Sequence, residues 1–134
     1  MYEGITLIFD VDGTICPIKK AGDTYENLPP DKEMVKKLRA YKKGGAKIVF
    51  LSSRNMRTYN GNLGMINANT ATVMQEWLKK NDIPYDEIYF GKPWPGHKGL
   101  YVDDRAVRPD EFLKYDFDKL EKICKKSSRQ YEEK

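Results

Sequence analysis

Asp10 and Asp12 stand one residue apart in the run Ile5-Thr6-Leu7-Ile8-Phe9-Asp10-Val11-Asp12-Gly13-Thr14, where an apolar stretch ends in two carboxylates, a glycine and a hydroxyl. Carboxylates this close repel unless a cation or a shared proton compensates, and oxygen donors favour a hard ion such as Mg²⁺. An aspartate can also attack phosphorus to give an aspartyl-phosphate, which splits a hard hydrolysis into two easier steps. Asp10 is the candidate nucleophile. Asp12 could reach the leaving-group oxygen as general acid and later activate water as base. Gly13 permits a tight turn, and the Thr14 hydroxyl could hold a neighbouring group in place.

Further polar groups recur in the same setting. Ser52 follows the β-rich run Ala46-Lys47-Ile48-Val49-Phe50-Leu51, Lys92 follows Glu87-Ile88-Tyr89-Phe90-Gly91, and Asp103-Asp104 follow Leu100-Tyr101-Val102. A hydroxyl, an ammonium and backbone N–H groups are the donors that the oxygens of a transferring phosphoryl group require. Each residue alone has a plainer reading. Ser52 could begin a turn, Lys92 could be a solvated loop lysine, and Asp103-Asp104 could cap a turn or pair with Arg105 and Arg108. Their shared position after β-rich runs is what points to a site.

Rival chemistries find less support. Counted from Asp10, an EF-hand needs Gly at position 6 and Glu at position 12, where this chain has Ile15 and Ala21. No GxxxxGK[ST] phosphate loop is present. Cys16 and Cys124 lack CxxC spacing and read as free thiols, while His97 stands alone in a Pro/Gly-rich turn, so a zinc site is not suggested.

The elements that must position these residues alternate. A strand over 5–9 is followed by a loop or short hairpin over 15–30, with Pro17, Gly22, Pro29 and Pro30. Asp31 then caps a helix carrying Met34, Val35, Leu38 and Tyr41 at helical spacing, which Gly44-Gly45 stops. After the second strand, residues 55–69 are rich in Asn and Gly and read as a long loop. Thr70 or Thr72 caps a helix with Val73, Met74, Trp77 and Leu78, a third strand spans 87–90, a fourth spans 100–102, and a last helix covers 110–125. Alternating strands and helices imply βαβ units and a Rossmann-like parallel sheet flanked by helices, an α/β fold. The carboxyl ends of all its strands share one edge, where ligands bind, so Asp10, Asp12, Ser52, Lys92, Asp103 and Asp104 are expected there together.

At 134 residues the chain is expected to form one catalytic domain over 1–126, with a frayed tail over 127–134. A hydrophobic fraction of 40% argues against disorder, and no apolar run is long enough for a membrane span or resembles a signal peptide, so a cytoplasmic protein is expected. The net charge of +4 lies largely in helical segments and the C-terminal lysines, which reads as a solvated face before a nucleic-acid patch.

These residues resemble the haloacid dehalogenase (HAD) superfamily of aspartate-nucleophile phosphohydrolases. Asp10-Val11-Asp12-Gly13-Thr14 resembles its first motif, DxDGT. Ser52 within Leu51-Ser52-Ser53-Arg54-Asn55 resembles the second motif's Ser/Thr, Lys92 in Gly91-Lys92-Pro93 the third motif's lysine, and Asp103-Asp104 the fourth motif's acidic pair. The resemblance implies Asp10 as nucleophile, Asp12 as acid/base, and Mg²⁺ held by Asp10, the Asp12 backbone carbonyl and the Asp103/Asp104 pair, leaving open which of those two is the direct ligand. Lys98 is the alternative lysine. The gaps between motifs leave no room for an inserted cap domain, so the chain is similar to small capless phosphatases associated with capsule or surface-polysaccharide synthesis. Their likeness extends to Thr24-Tyr25-Glu26-Asn27 and to Ser53-Arg54-Asn55-Met56-Arg57. Thr14, Ser53, Arg54 and Asn55 are accordingly the candidate substrate-binding residues.

Without a cap, water must be excluded by a neighbouring subunit, the 55–69 loop or a bulky substrate. A small phosphorylated sugar or sugar-acid, in a site completed by a homo-oligomer, is the first expectation. A nucleic-acid 3′-phosphate is the second, suggested by Arg54, Arg57, Tyr59 and Trp94. The third reading is a non-catalytic binding domain that kept the fold, against which the intact acid set speaks.

Overall fold

The computed structural model describes residues 1–130, and the part of the expected tail over 131–134 lies outside them. The chain divides into two compact units, Met1–Trp94 and Pro95–Lys134.

The first unit is α/β, with a three-stranded parallel sheet. Strands β1 (Thr6–Phe9), β2 (Lys47–Ser52) and β3 (Glu87–Phe90) lie in the order β1-β2-β3, with Ile8 opposite Val49 and Phe50 opposite Ile88. Parallel strands need crossover connections, and helices supply both. Helix α1 (Lys32–Lys43) lies between β1 and β2, and α2 (Leu63–Asn69) with α3 (Ala71–Lys80) between β2 and β3.

Helix α1 starts where the Asp31 carboxylate accepts from the Met34 N–H at 3.0 Å, satisfying one of the helix's orphan donors. Its buried face is Met34, Val35, Leu38 and Tyr41, as the spacing predicts. In the centre of the sheet, Ile48, Val49 and Phe50 are buried in succession, as a strand covered on both faces requires. Phe50 meets Phe9 and Tyr85 with ring centroids 6.1 and 5.8 Å apart. Met74, Trp77 and Leu78 of α3 complete the core. The Trp77 Nε1–H donates to the Leu28 carbonyl at 2.8 Å, tying down the 15–30 loop just after its single turn of 3₁₀ helix, Tyr25–Asn27. Neither motif gap holds an inserted cap domain.

Three expectations are corrected. The 55–69 stretch is not all loop, because its second half forms α2, started by the Asn62 side chain accepting from the Met65 N–H. The last helix is two, α4 (Pro109–Lys114) and α5 (Phe117–Ser127), since Asp116 begins a new helix by accepting from the Lys119 N–H. The fourth strand does not form among the described residues. Leu100 and Val102 are 83% and 98% exposed, and no strand covers them. Three residues of β propensity have no ladder to join without a neighbouring strand.

Candidate active site

Because β1 and β2 are parallel, Asp10 and Ser52 emerge at the same end of the sheet, and Lys92 follows from β3 one glycine later. Gly91 has a φ of +89°, and a Cβ there would lie 2.7 Å from Leu63, so the turn that aims Lys92 requires glycine. The Lys92 N–H donates to the Ser52 carbonyl at 3.2 Å, extending the β2 pairing. Its ammonium lies 3.7 Å from Asp10 Oδ1. Thr14 Oγ1 donates to the other oxygen, Asp10 Oδ2, at 3.3 Å.

The turn between Asp10 and Thr14 is set by backbone bonds. Val11 is fully buried and its carbonyl accepts from the N–H groups of Thr14 and Ile15, while the Gly13 N–H donates to the Cys16 carbonyl at 2.8 Å. Gly13 takes a φ of +89° to make this reversal. Burial pushes the Asp10 carboxyl above the usual carboxylate range, with the negative charge of Asp12 adding to it. The Lys92 ammonium and hydrogen bonds from the Val11 N–H and Thr14 oppose the rise.

Asp12 has a different environment. Arg54 donates to both of its carboxylate oxygens, Nε to Oδ2 at 3.0 Å and Nη2 to Oδ1 at 2.9 Å. This fork geometry is available to arginine and not to lysine. The guanidinium is buried, its Cζ lies 4.1 Å from the centroid of the Tyr25 ring, and the Arg54 N–H donates to Ser52 Oγ at 3.0 Å. Cys16 Sγ also reaches Asp12 Oδ1, at 3.5 Å. Burial pushes the Cys16 thiol up to about 12, with the Asp12 charge contributing. Burial likewise raises the Tyr25 phenol, and Asp12 again contributes.

Asp10, Asp12, Thr14, Ser52, Arg54 and Lys92 are therefore linked in one network of hydrogen bonds and ion pairs. Within it, Arg54 is committed to Asp12 rather than held in an open loop. Asn55 is occupied as well: at a φ of +62° its Oδ1 accepts from the buried Thr70 hydroxyl at 2.7 Å and its amide donates to Thr58, which pins the loop to the start of α3. Ser53 is half-buried, and its carbonyl accepts from the Met56 N–H at 3.0 Å. Tyr25 and Cys16 escaped the sequence reading as partners of this network. The one pointer was that Tyr25 lies within the 24–27 stretch whose likeness to the small phosphatases was noted.

In the Pro95–Lys134 unit, Asp103 and Asp104 are exposed. Asp103 Oδ1 accepts from the Arg105 N–H at 2.9 Å and Asp104 Oδ2 from the Ser128 hydroxyl at 2.8 Å. Among the described residues no three His, Cys, Asp or Glu side chains gather into a group that could hold a metal. The chemistry of the donors in the first unit still suits a hard cation. Asp10 offers carboxylate oxygen, and the thiol of Cys16 stays protonated, so no soft ligand competes. With Asp12 gripped by Arg54, however, Asp10 is the first unit's one motif carboxylate not already in a two-point ion pair. No described helix is long and apolar enough to cross a membrane.

No family model matches the chain, and none of the curated proteins does. Among solved structures it is similar to a crystallised MCSG target from Vibrio cholerae, with 44% identity and a TM-score of 0.86 over 92% of this chain and 99% of that one. A chain of a Pnkp1/Rnl/Hen1 complex is 21% identical with a TM-score of 0.47, over 82% of this chain and 33% of that one, a likeness too slight to carry an argument.

Proposed function

The chain belongs to the family of the Vibrio cholerae protein, and we propose that this member is a phosphomonoester hydrolase of the HAD type working through an aspartyl-phosphate. The observation that carries the reading is Asp10 at the end of β1, with the Lys92 ammonium 3.7 Å from one oxygen and the Thr14 hydroxyl 3.3 Å from the other. A nucleophilic carboxylate needs one oxygen aimed at phosphorus and the rest of its charge balanced, and these two groups do the balancing.

In the first half-reaction an Asp10 oxygen forms a bond to phosphorus as the ester P–O bond breaks, and Asp12 supplies the proton to the departing alkoxide. In the second, Asp12 takes a proton from water, whose oxygen attacks phosphorus and releases Asp10 with inorganic phosphate. Lys92 and the N–H groups after Asp10 balance charge on the phosphoryl oxygens. Arg54 holds Asp12 at both oxygens, so its direction is fixed before substrate arrives. A hard cation such as Mg²⁺, held by the Asp10 carboxylate and the Asp12 backbone carbonyl, would supply Lewis-acid neutralisation of the phosphate.

With no inserted cap in either gap, water has to be excluded by a further subunit, the 55–69 segment or a bulky substrate, and a small phosphorylated sugar or sugar-acid is the first substrate class of this reading. One observation favours a second reading, a nucleic-acid 3′-phosphatase. Trp94 is 41% exposed two residues beyond Lys92, with Arg57 5.7 Å from its ring centroid, a pairing of the kind on which a nucleobase stacks.

The test is phosphate release from p-nitrophenyl phosphate, sugar phosphates, nucleotides and 3′-phosphorylated oligonucleotides, with and without Mg²⁺. Release that depends on Mg²⁺ and is lost in Asp10→Asn is expected. Equal, slow release by wild type and Asp10→Asn would sink the enzyme reading.

A further inference from the structure

Asp12 moves the protons of the proposed reaction, and its surroundings leave it little freedom. A carboxylate has about four lone-pair sites, shared equally between its oxygens. Oδ1 accepts from Arg54 Nη2 at 2.9 Å and from Cys16 Sγ at 3.5 Å, which fills its share. Oδ2 accepts from Arg54 Nε at 3.0 Å and from nothing else among the described residues. The open site is therefore on Oδ2. The Asp12 side chain is 24% exposed and that of Arg54 1%, so substrate can approach the carboxylate but not the guanidinium that orients it.

The guanidinium in turn is held unevenly. Nε and Nη2 are committed to Asp12, whereas Nη1 is buried without a hydrogen-bond partner among the described residues. A buried donor that lacks its acceptor is costly unless another contact offsets the loss. That contact is the Tyr25 ring, whose centroid lies 4.1 Å from Arg54 Cζ, within the range at which an aromatic face attracts a cation. Tyr25 sits on the single turn Tyr25–Asn27, and the Leu28 carbonyl just past it accepts from the Trp77 indole at 2.8 Å, so the core fixes the ring. The Tyr25 hydroxyl makes no hydrogen bond among the described residues, and what Tyr25 gives this network is its ring.

We propose that Tyr25 is a positioning residue for proton transfer: its ring fixes the plane of Arg54, and the fork so held leaves Oδ2 of Asp12 to carry the proton to and from the reacting oxygen. The proposal rests on the phosphohydrolase reading for the reaction, but not for the hold of the ring on the fork. The step balances without a further reactant. Oδ2 gives its proton to the departing alkoxide in the first half-reaction and takes one from water in the second, while Arg54 and Cys16 keep theirs.

The test compares two esters of nearly the same shape. p-Nitrobenzyl phosphate leaves an alkoxide that needs the proton, whereas p-nitrophenyl phosphate leaves a stabilised phenolate that does not. Tyr25→Leu keeps apolar volume but no aromatic face. Its kcat/KM is expected to fall about tenfold on the benzyl ester, a share of the roughly 10²–10⁴ that general acid catalysis supplies, and less than about threefold on the phenyl ester. Tyr25→Phe keeps the face and is expected to restore the wild-type ratio. A second readout needs no turnover. The Arg54 Nε–H proton, assigned by NMR through its loss in Arg54→Lys, is expected to exchange slowly with water in wild type and Tyr25→Phe, and at least about tenfold faster in Tyr25→Leu.

Equal losses on the two esters, a Tyr25→Phe as impaired as Tyr25→Leu, or an Arg54 Nε–H whose exchange is unchanged in Tyr25→Leu would each overturn the positioning role. If wild type hydrolyses neither ester while the Nε–H exchange behaves as expected, the hydrolase reading fails and the hold of the ring on the fork stands, so the two failures are distinguishable.

Discussion

Asp10 is kept at the end of β1 against its own burial. A carboxyl whose folded-state pKa lies above its unfolded value binds more protons folded than unfolded between the two values, so stability falls as pH rises through that window and stays lower beyond it. Asp10→Asn removes that cost. The variant should therefore melt higher than wild type at pH 7 without metal, with the difference closing below the ordinary carboxylate pKa, as calorimetry across pH would show. Activity should fall at least about a thousandfold, the scale on which losing a nucleophile acts. Asp12 depends instead on its arginine partner. Replacing Arg54 by Gln leaves a part-buried carboxylate without its fork, and breaking such a pair costs about 3 kcal/mol, to be read from urea unfolding; Arg54→Lys should recover only part. The DxDGT-like pattern made Asp10 and Asp12 legible as a carboxylate pair at a strand end, a placement that local spacing encodes. Arg54 was legible as a site residue but not as a partner of Asp12. Their 42-residue separation is bridged by a parallel sheet register that no local pattern encodes.

At the scale of elements, the strongly periodic pieces were readable and the weakly periodic ones were not. Helices α1 and α3 announced themselves by buried faces at helical spacing. Helix α2 buries Ile66 alone, and its Asn- and Gly-rich composition hides it; the Asn62 cap was its single local signal. The 110–125 pattern stayed in phase across Tyr115, so the restart at Asp116 went unseen. The overread fourth strand is a run whose β propensity is real but which pairs with no strand among the described residues. Between elements, the Trp77 indole does work that the sequence could show only as core. Because its N–H is the bond that anchors Leu28, just past the turn that carries Tyr25, Trp77→Phe leaves a buried carbonyl without that donor. A loss of about 1–3 kcal/mol is expected, visible as a lower Tm. Because the same loop holds Tyr25 over Arg54, activity should fall as well, but far less than in Asp10→Asn.

For the whole molecule, the net charge of +4 bears on which phosphate ester the proposed hydrolase would draw in. A positive surface attracts any anion, so charge alone does not separate a sugar phosphate from an oligonucleotide, but the salt dependence does. A small monoester meets one charged site, in contact and partly shielded from solvent, and its kcat/KM should change less than about threefold between 50 and 200 mM KCl. An oligonucleotide that used Arg57 and the surrounding lysines would release counterions from several phosphates. With about three backbone contacts, a slope of roughly −0.7 for each gives a loss of about 20-fold over the same range. A flat profile on sugar phosphates together with weak turnover of 3′-phosphorylated oligonucleotides is the expected result. A steep profile with preferred oligonucleotide turnover, abolished by Trp94→Ala but unaffected on p-nitrophenyl phosphate, would instead assign the exposed Arg57–Trp94 pair to a nucleobase and make the nucleic-acid reading the correct one.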